Sequence, residues 1–372
     1  MNVFLDNDGI LYRNPLPGYR VVCAFQPNVV PFSDTELLCI YRRGQTFYSI
    51  DGCLAMLRST DGGKTWTEEG LVHDPAQDKK RFSYSGPHAT VLKDGSLLLV
   101  ASRYDRSDPE RLIFNPETGG MDRPENVLFS SNDRGRTWQG PHPLSLPIQG
   151  VVDLPSQIIE LEDGSFFLSA EVWKERDDTA ALHIRRYAVF STDKGQTWRA
   201  QMGLPGNDDT KMHSHSRYTR MLDGRVFVLH WTQDIGATQN LDIHMSVSDT
   251  SARVWSEPAP TGIPGQTSWA ADLGNDRIAA AYTNRERNPG IKVVLSEDGG
   301  KTWNRDKEIM VWDAVGQEFI GVVHRPDYPR SHENIAFGKP NLARLPDGSL
   351  ICSWWCTQAC VTHIRYARLH VE

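Results

Sequence analysis

Short apolar runs alternate with turn signals along the whole chain. Asp-Gly turns introduce KDGSLLLV (93–100), EDGSFFLS (162–169), LDGRVFVL (222–229) and PDGSLICS (346–353), with weaker counterparts in FSDTELLC (32–39) and GNDRIAAA (274–281). Asp-Gly between apolar runs is a strong hairpin signal, so each turn marks one strand before it and one after it. No segment keeps a helical apolar period for more than two turns. The pattern predicts an all-β chain built from hairpins.

A second repeat runs out of phase with the first. STDGGKTW (59–66), SNDRGRTW (131–138), STDKGQTW (191–198) and SEDGGKTW (296–303) all fit S-x-D-x-G-x-T-W, and SVSDTSARVW, ending at Trp255, is a worn copy. The form reads as a turn. The Asp side chain accepts bonds from backbone N–H groups two residues on, the Gly supplies a positive φ, the Thr favours the start of a strand, and the Trp packs beneath the turn. The motif is a structural staple and carries no chemistry.

Interleaving the two repeats gives a unit of strand, Asp-Gly turn, strand, longer loop, strand, box turn and strand, which is a four-stranded antiparallel sheet. Counting Asp-Gly-type turns gives six units, and four-strand units at this spacing read as propeller blades. The last unit (339–372) has no box. The N-terminal VFLDNDGILYRN supplies its outer strand and closes the ring, which removes free sheet edges. The expected architecture is a six-bladed β-propeller with residues 1–372 as one domain.

Bulk properties narrow the function classes. The chain has 372 residues, 39% hydrophobic content and a net charge of −7, with both signs mixed throughout. No basic run points to nucleic acid or an anionic membrane, and the longest apolar runs are too short to span a bilayer. The opening MNVFLDNDGILYRN has no basic region followed by an apolar stretch, so a cytoplasmic location is expected. The six cysteines, Cys23, Cys39, Cys53, Cys352, Cys356 and Cys360, read as free thiols, since the C-x3-C-x3-C spacing of the last three is not that of a tight zinc site. His213 and His215 have strand spacing for metal ligation, but no third ligand is evident. No metal and no cofactor is assigned.

Four good boxes on six blades resemble the sialidase superfamily of BNR-repeat proteins, over nearly the whole chain. The resemblance implies a six-bladed propeller, and in sialidases a site with an arginine triad, a Tyr/Glu nucleophile pair and an Asp acid/base. Here the matching positions depart from that set. The first arginine falls on Gln26, the Glu before the Val-Val-Glu-Leu strand on Pro155, the second arginine on Glu171, and the tyrosine near Lys339; Arg287 matches the third arginine only loosely. Ordinary sialidase chemistry is therefore not expected.

In a propeller the first strand of each blade lines the central channel, and the ends of the second strands point to the same pocket. Those segments mix Arg, His, Glu and Trp. Glu171, beside Trp173, is a candidate general acid, since a carboxyl against an aromatic wall holds its proton to higher pH. Asp272 is a candidate for the second carboxylate of an acid/base pair, with Asp153 and Asp51 as rivals for that role. His88 and His215 are candidates for proton transfer. His213, His215 and Arg217 alternate on one face of a strand, and His230 ends the following one. Arg42, Arg43, Arg103 and Arg285 are candidate ligands of an acidic sugar. Gln157, Arg217, His230, Lys339 and Trp173 complete the candidate substrate-binding set. Trp269, Trp354 and Trp355 could stack on sugar faces or pack between blades.

The functional expectation is a sialidase-like glycoside hydrolase acting on a terminal sugar, acidic or deoxy, of an oligosaccharide, with a glycan as partner. Two alternatives stay open. One is a polysaccharide lyase on a uronate, with His88 or His215 taking the C5 proton. The other is a non-catalytic glycan-binding propeller.

Overall fold

The computed structural model describes all residues except 202, 207–209, 238 and 318–334. Strand β1 (Val3–Tyr12) is followed by blade one, made of β2 (Cys23–Pro31), β3 (Leu37–Gly44), β4 (Cys53–Ser59) and β5 (Thr67–Leu71). Blade two is β6 (Phe82–Val91), β7 (Leu97–Asp105), β8 (Glu125–Ser131) and β9 (Gln139–Pro143). In blade three the inner strand is split into β10 (Val151–Asp153) and β11 (Ile159–Glu160), then come β12 (Phe166–Trp173), β13 (Arg185–Ser191) and β14 (Arg199–Gln201). Blade four is β15 (Lys211–Arg220), β16 (Val226–Asp234), a short β17 (Gln239–Asn240), β18 (His244–Val247) and β19 (Ala259–Pro260). Blade five is β20 (Ser268–Gly274), β21 (Arg277–Asn284), β22 (Gly290–Ser296) and β23 (Ile309–Asp313); blade six is β24 (Phe337–Arg344), β25 (Leu350–Gln358) and β26 (Val361–Val371).

The last blade has the order β1-β26-β25-β24, so the N-terminal strand closes the ring as the sequence predicts. Asn2 and Glu372 exchange two backbone hydrogen bonds at the seam, 2.8 and 3.0 Å. Among the described residues the only helical segments are single 3-10 turns at Pro75–Gln77 and Arg305–Lys307.

Every blade packs face to face against its two neighbours. Leu38, Ile40 and Met56 of blade one meet Leu97, Leu99 and Phe129 of blade two, and comparable clusters fill each of the other junctions. A middle strand is therefore buried on both faces, and its sequence is a continuous apolar run rather than an alternation. Alternate residues of LLLVA serve opposite junctions: Leu97 and Leu99 face blade one, Leu98 and Val100 face blade three.

The box turns join the third and fourth strands. Ser59 Oγ accepts from Gly63 N (2.8 Å) and donates to Asp61 Oδ1 (2.8 Å). Asp61 takes the N–H of Thr65 (2.9 Å) and its hydroxyl (2.6 Å). The carboxylate thus reaches four residues on rather than two, and these bonds from Thr65 hold its pKa down to about 2. The indole of Trp66 donates back to Gly63 O (3.0 Å). Trp138, Trp198 and Trp303 repeat that bond. In the worn copy Trp255 donates to Ala252 O, and Ala252 adopts the positive φ (54°) that glycine takes elsewhere.

Candidate functional site

The site is built by an interruption repeated around the inner strands. The ladder to the second strand slips between Phe25 and Asn28, Ser85 and His88, Ser214 and Arg217, and Gly338 and Asn341. Each slip contains one residue of positive φ: Gln26 (54°), Gly86 (63°), His215 (48°) and Lys339 (47°). Three of the four are followed by proline, Pro27, Pro87 and Pro340, which has no N–H to continue a ladder. In blade three the strand breaks outright after Asp153, at Leu154-Pro155. A bulge re-aims the side chain at the extra residue. Here it turns Gln26, His215 and Lys339 into one axial cavity, which Asp153 also lines.

The residues just past the bulges divide into two groups. Asn28 Oδ1 accepts from Ala89 N (2.8 Å), Asn341 Oδ1 from Val29 N (2.9 Å) and Ser156 Oγ from Tyr218 N (3.1 Å). Each ties its blade to the next. Blades two and four carry His88 and Arg217 instead, and these line the cavity and meet there, with Arg217 Nη1 donating to His88 Nε2 at 2.8 Å. Trp269 of blade five lies under the guanidinium, 5.2 Å from its ring centre. Burial, reinforced by the charge of Arg217, holds His88 well below its ordinary pKa and hence neutral.

Glu171 and Asp153 are direct partners across β10 and β12. Glu171 is 1% exposed and does not line the cavity. Its Oε2 accepts from His215 N and its Oε1 from Ser216 N, both at 3.0 Å, so it fixes the fourth-blade bulge from behind. Donor atoms of Asp153, Glu171 and His215 lie within 4.8 Å of one another. Burial raises the pKa of both carboxyls. That of Glu171 is pushed up to about 7 by burial and then by the charge of Asp153, against the two backbone N–H groups. Burial thus favours a proton on the pair, and Asp153 is its outlet to the cavity. This donor set is the right size for a divalent cation. However, the charges of Lys339 and Arg217 act on the same carboxyls and oppose a cation there.

His215 lies between Trp231 (5.5 Å, stacked at 21°) and Trp173 (5.6 Å). Lys339 is brought down to about 8 by burial and by Arg217. Neither Lys339 nor Arg217 forms an ion pair with a carboxylate within 4.0 Å among the described residues. Tyr48, Phe114, Met121 and Trp173 add an apolar part to the lining of the cavity.

Of the candidates named from sequence, His88, His215, Arg217, Lys339 and Trp173 line the cavity. The others stand elsewhere. Asp272 lies at the turn end of β20, where it accepts from Leu222 N (2.6 Å) and Gly274 N (2.8 Å), so it caps turns rather than pairing with Glu171. Asp153, its rival, takes the place facing the cavity. Arg42 is fully buried and bonds Thr46 O, Ser49 O and Ser83 Oγ. Arg43 pairs with Glu68, and Arg103 with Asp78 and Glu125, outside the cavity. Arg285 donates to Phe337 O (2.6 Å) and Gln157 to Tyr218 O (2.8 Å), both as links between blades. His230 sits beneath Ser216 (2.9 Å) and accepts from Arg186. Trp354 and Trp355 are core residues. Gln26, Gly86 and Tyr48 were not singled out as site residues. The X-Pro dipeptides at the inner-strand bulges are the signal that marks the first two; Tyr48, on a loop, has none.

The BNR repeat-like domain model matches residues 105–319, and the BNR/Asp-box repeat model residues 57–68. A xyloglucanase from Paenibacillus sp is 25% identical over 277 residues, covering 70% of this chain and 24% of that protein. A sialidase from Clostridium perfringens is 21% identical over 169 residues, covering 42% of this chain and 43% of that protein. The chain thus spans less than half the length of these curated relatives. The structure of the Hadza microbial sialidase Hz136 superposes with a TM-score of 0.69 at 16% identity, over 96% of this chain and 67% of that one, a likeness of fold.

Proposed function

This chain belongs to the BNR repeat-like domain family and is a six-bladed propeller of the sialidase superfamily, and from that premise we propose that it is a glycoside hydrolase whose axial cavity takes a terminal, acidic sugar. One observation carries the reading. Arg217 and Lys339, two cations without a carboxylate ion pair among the described residues, face the cavity beside Asp153, a carboxyl whose pKa burial raises. A buried guanidinium is a strong bidentate partner for a carboxylate, and Lys339 adds a second positive charge. Both hold the sugar's acid group.

Asp153 then donates its proton to the departing glycosidic oxygen. Glu171, anchored by two backbone N–H groups, holds the negative charge behind it, and the pair recovers its proton from His215 once the water's proton has reached that ring. His215 is the nitrogen base nearest that pair and takes the proton of the attacking water. Relatives named as a xyloglucanase and a sialidase support bond cleavage between sugars as the reaction class.

A second reading is favoured by one feature. Glu171 is sealed behind Asp153, so one carboxylate of the pair faces the cavity, whereas two-carboxylate hydrolases present both. His215, the cavity imidazole other than His88, would then abstract the proton next to a uronate carboxylate held by Arg217. A lyase product carries a new double bond that absorbs in the near ultraviolet, and a hydrolysis product does not. The test is incubation with a panel of neutral and uronate-containing oligosaccharides, with product analysis and absorbance followed together. Release of an acidic monosaccharide without absorbance gain is expected. Absorbance gain selects the lyase, and cleavage confined to neutral glycans overturns the acidic-sugar assignment.

A further inference from the structure

Gln26 stands at the first-blade bulge, 6% exposed, and lines the axial cavity. Its Oε1 accepts from Gly86 N (2.8 Å) and Ser85 Oγ (3.1 Å). A backbone N–H can only donate, so the amide oxygen is fixed on that side and Nε2 on the other. Nε2 has no hydrogen-bond partner among the described residues. Nε2 is not one of the sealed side-chain atoms that lack a partner, so this donor opens to the cavity.

Beside it is a gap. Gly86 occupies in blade two the bulge point that carries Gln26, His215 and Lys339 in blades one, four and six. A Cβ built on Gly86 would meet a single atom within 4 Å, His88 Nε2 at 4.0 Å. The neighbouring wall is neutral and polar. Ser102 gives its hydroxyl proton to Asn126 Oδ1 (2.9 Å), which leaves its oxygen able to accept.

We propose that Gln26 and Gly86 form a subsite for one hydroxyl of the bound sugar. Gln26 Nε2 donates to the hydroxyl oxygen, Ser102 Oγ accepts its proton, and the missing side chain at Gly86 makes room for it. The subsite rests on the sugar-binding reading above and adds a specificity to it. The ring carries oxygen at this position, because a deoxy carbon there leaves Nε2 unmet, and sites built for a hydroxyl reject its absence strongly.

The test uses protein labelled with 15N-glutamine, the Gln26 amide signals being identified by their loss in Gln26→Glu. The probes are methyl β-D-glucuronide, methyl β-D-galacturonide and the 2-, 3- and 4-deoxy forms of the first. Binding is expected to move the Gln26 amide signals, and one deoxy form is expected to bind about tenfold or more weakly than its parent. Gln26→Glu keeps the acceptor for Gly86 N and Ser85 but removes the donor, and Gly86→Gln fills the gap with a residue type that the first blade carries at the same φ. Both are expected to lower affinity about tenfold or more with the fold retained, Gly86→Gln losing some melting temperature because its residue sits at a positive φ of 63°. Binding that leaves the Gln26 signals still, or Gln26→Glu that binds like the parent protein, overturns the subsite and leaves the acidic-sugar reading standing. Failure of both glycuronides to bind overturns that reading and the subsite together.

Discussion

Asp153 stands directly opposite Glu171 across the β10–β12 pair, yet only Asp153 lines the cavity. The two carboxyls are chemically alike and differ in what surrounds them: backbone N–H groups for Glu171, an open cavity with two cations for Asp153. Asp153→Asn is therefore expected to lower turnover by about 10²–10⁴-fold with the fold retained. Asp272→Asn, which alters a turn cap, is expected to leave turnover unchanged. Steady-state kinetics on the two variants checks both.

The shared proton sets the pH response. Activity is expected to fall as pH rises through about 7, where burial and the Asp153 charge place Glu171. Stability follows the same sign. Unfolded, Glu171 releases its proton near 4.5; folded, it keeps it to about 7. Folding takes up a proton between those values, so the contribution is full below 4.5 and is lost as pH climbs through 7. Melting temperature against pH reads this directly. Asp153→Asn removes the neighbouring charge and is expected to flatten the slope.

Anion binding has its own window. Lys339 loses its charge as pH rises through about 8, because burial and Arg217 disfavour the ammonium. KM for an acidic glycan is expected to climb there. Arg217→Met is expected to raise KM more than it lowers kcat, the mark of lost binding. Arg103→Ala is expected to change neither, since Arg103 is held by Asp78 and Glu125 over the Phe82 ring.

The box turns are predicted to matter for stability alone. Ser131 is 3% exposed and its Oγ accepts from Gly135 N at 2.8 Å. Ser131→Ala leaves that buried N–H unmet and is expected to cost about 1–3 kcal/mol. Denaturant midpoints should fall while kcat stays the same.

Much of the fold was legible because its signals are local. The Asp-Gly turns at Asp94, Asp163, Asp223 and Asp347 each sit where a first strand meets a second. The box at Ser59–Trp66 closes on itself through bonds that span no more than four residues. The site was legible in part. His88, His215 and Arg217 follow from their strand positions, and Lys339 from the place where the sialidase resemblance puts a tyrosine. Arg42 and Arg103 occupy strand ends of the same kind and were indistinguishable from them, since what separates the groups is how the chain folds back: Arg42 bonds Thr46 and Ser49 in the following loop, and Arg103 pairs with Asp78, 25 residues earlier.

By itself, the sequence determined the number of blades and their four-stranded order, because turn chemistry and apolar runs act between residues near one another in the chain; closure by Val3–Tyr12, which pairs with Val361–Val371, followed from the count, since the last unit lacked an outer strand. Tertiary structure alone decided which carboxyl faces the axis, which cations stay without a carboxylate, and that Gln26 ends half bonded beside the gap at Gly86. Those outcomes depend on the bulges, where a side chain's direction is set by a positive φ and by hydrogen bonds from another blade, as when Glu171 holds His215 and Ser216 from 44 and 45 residues away.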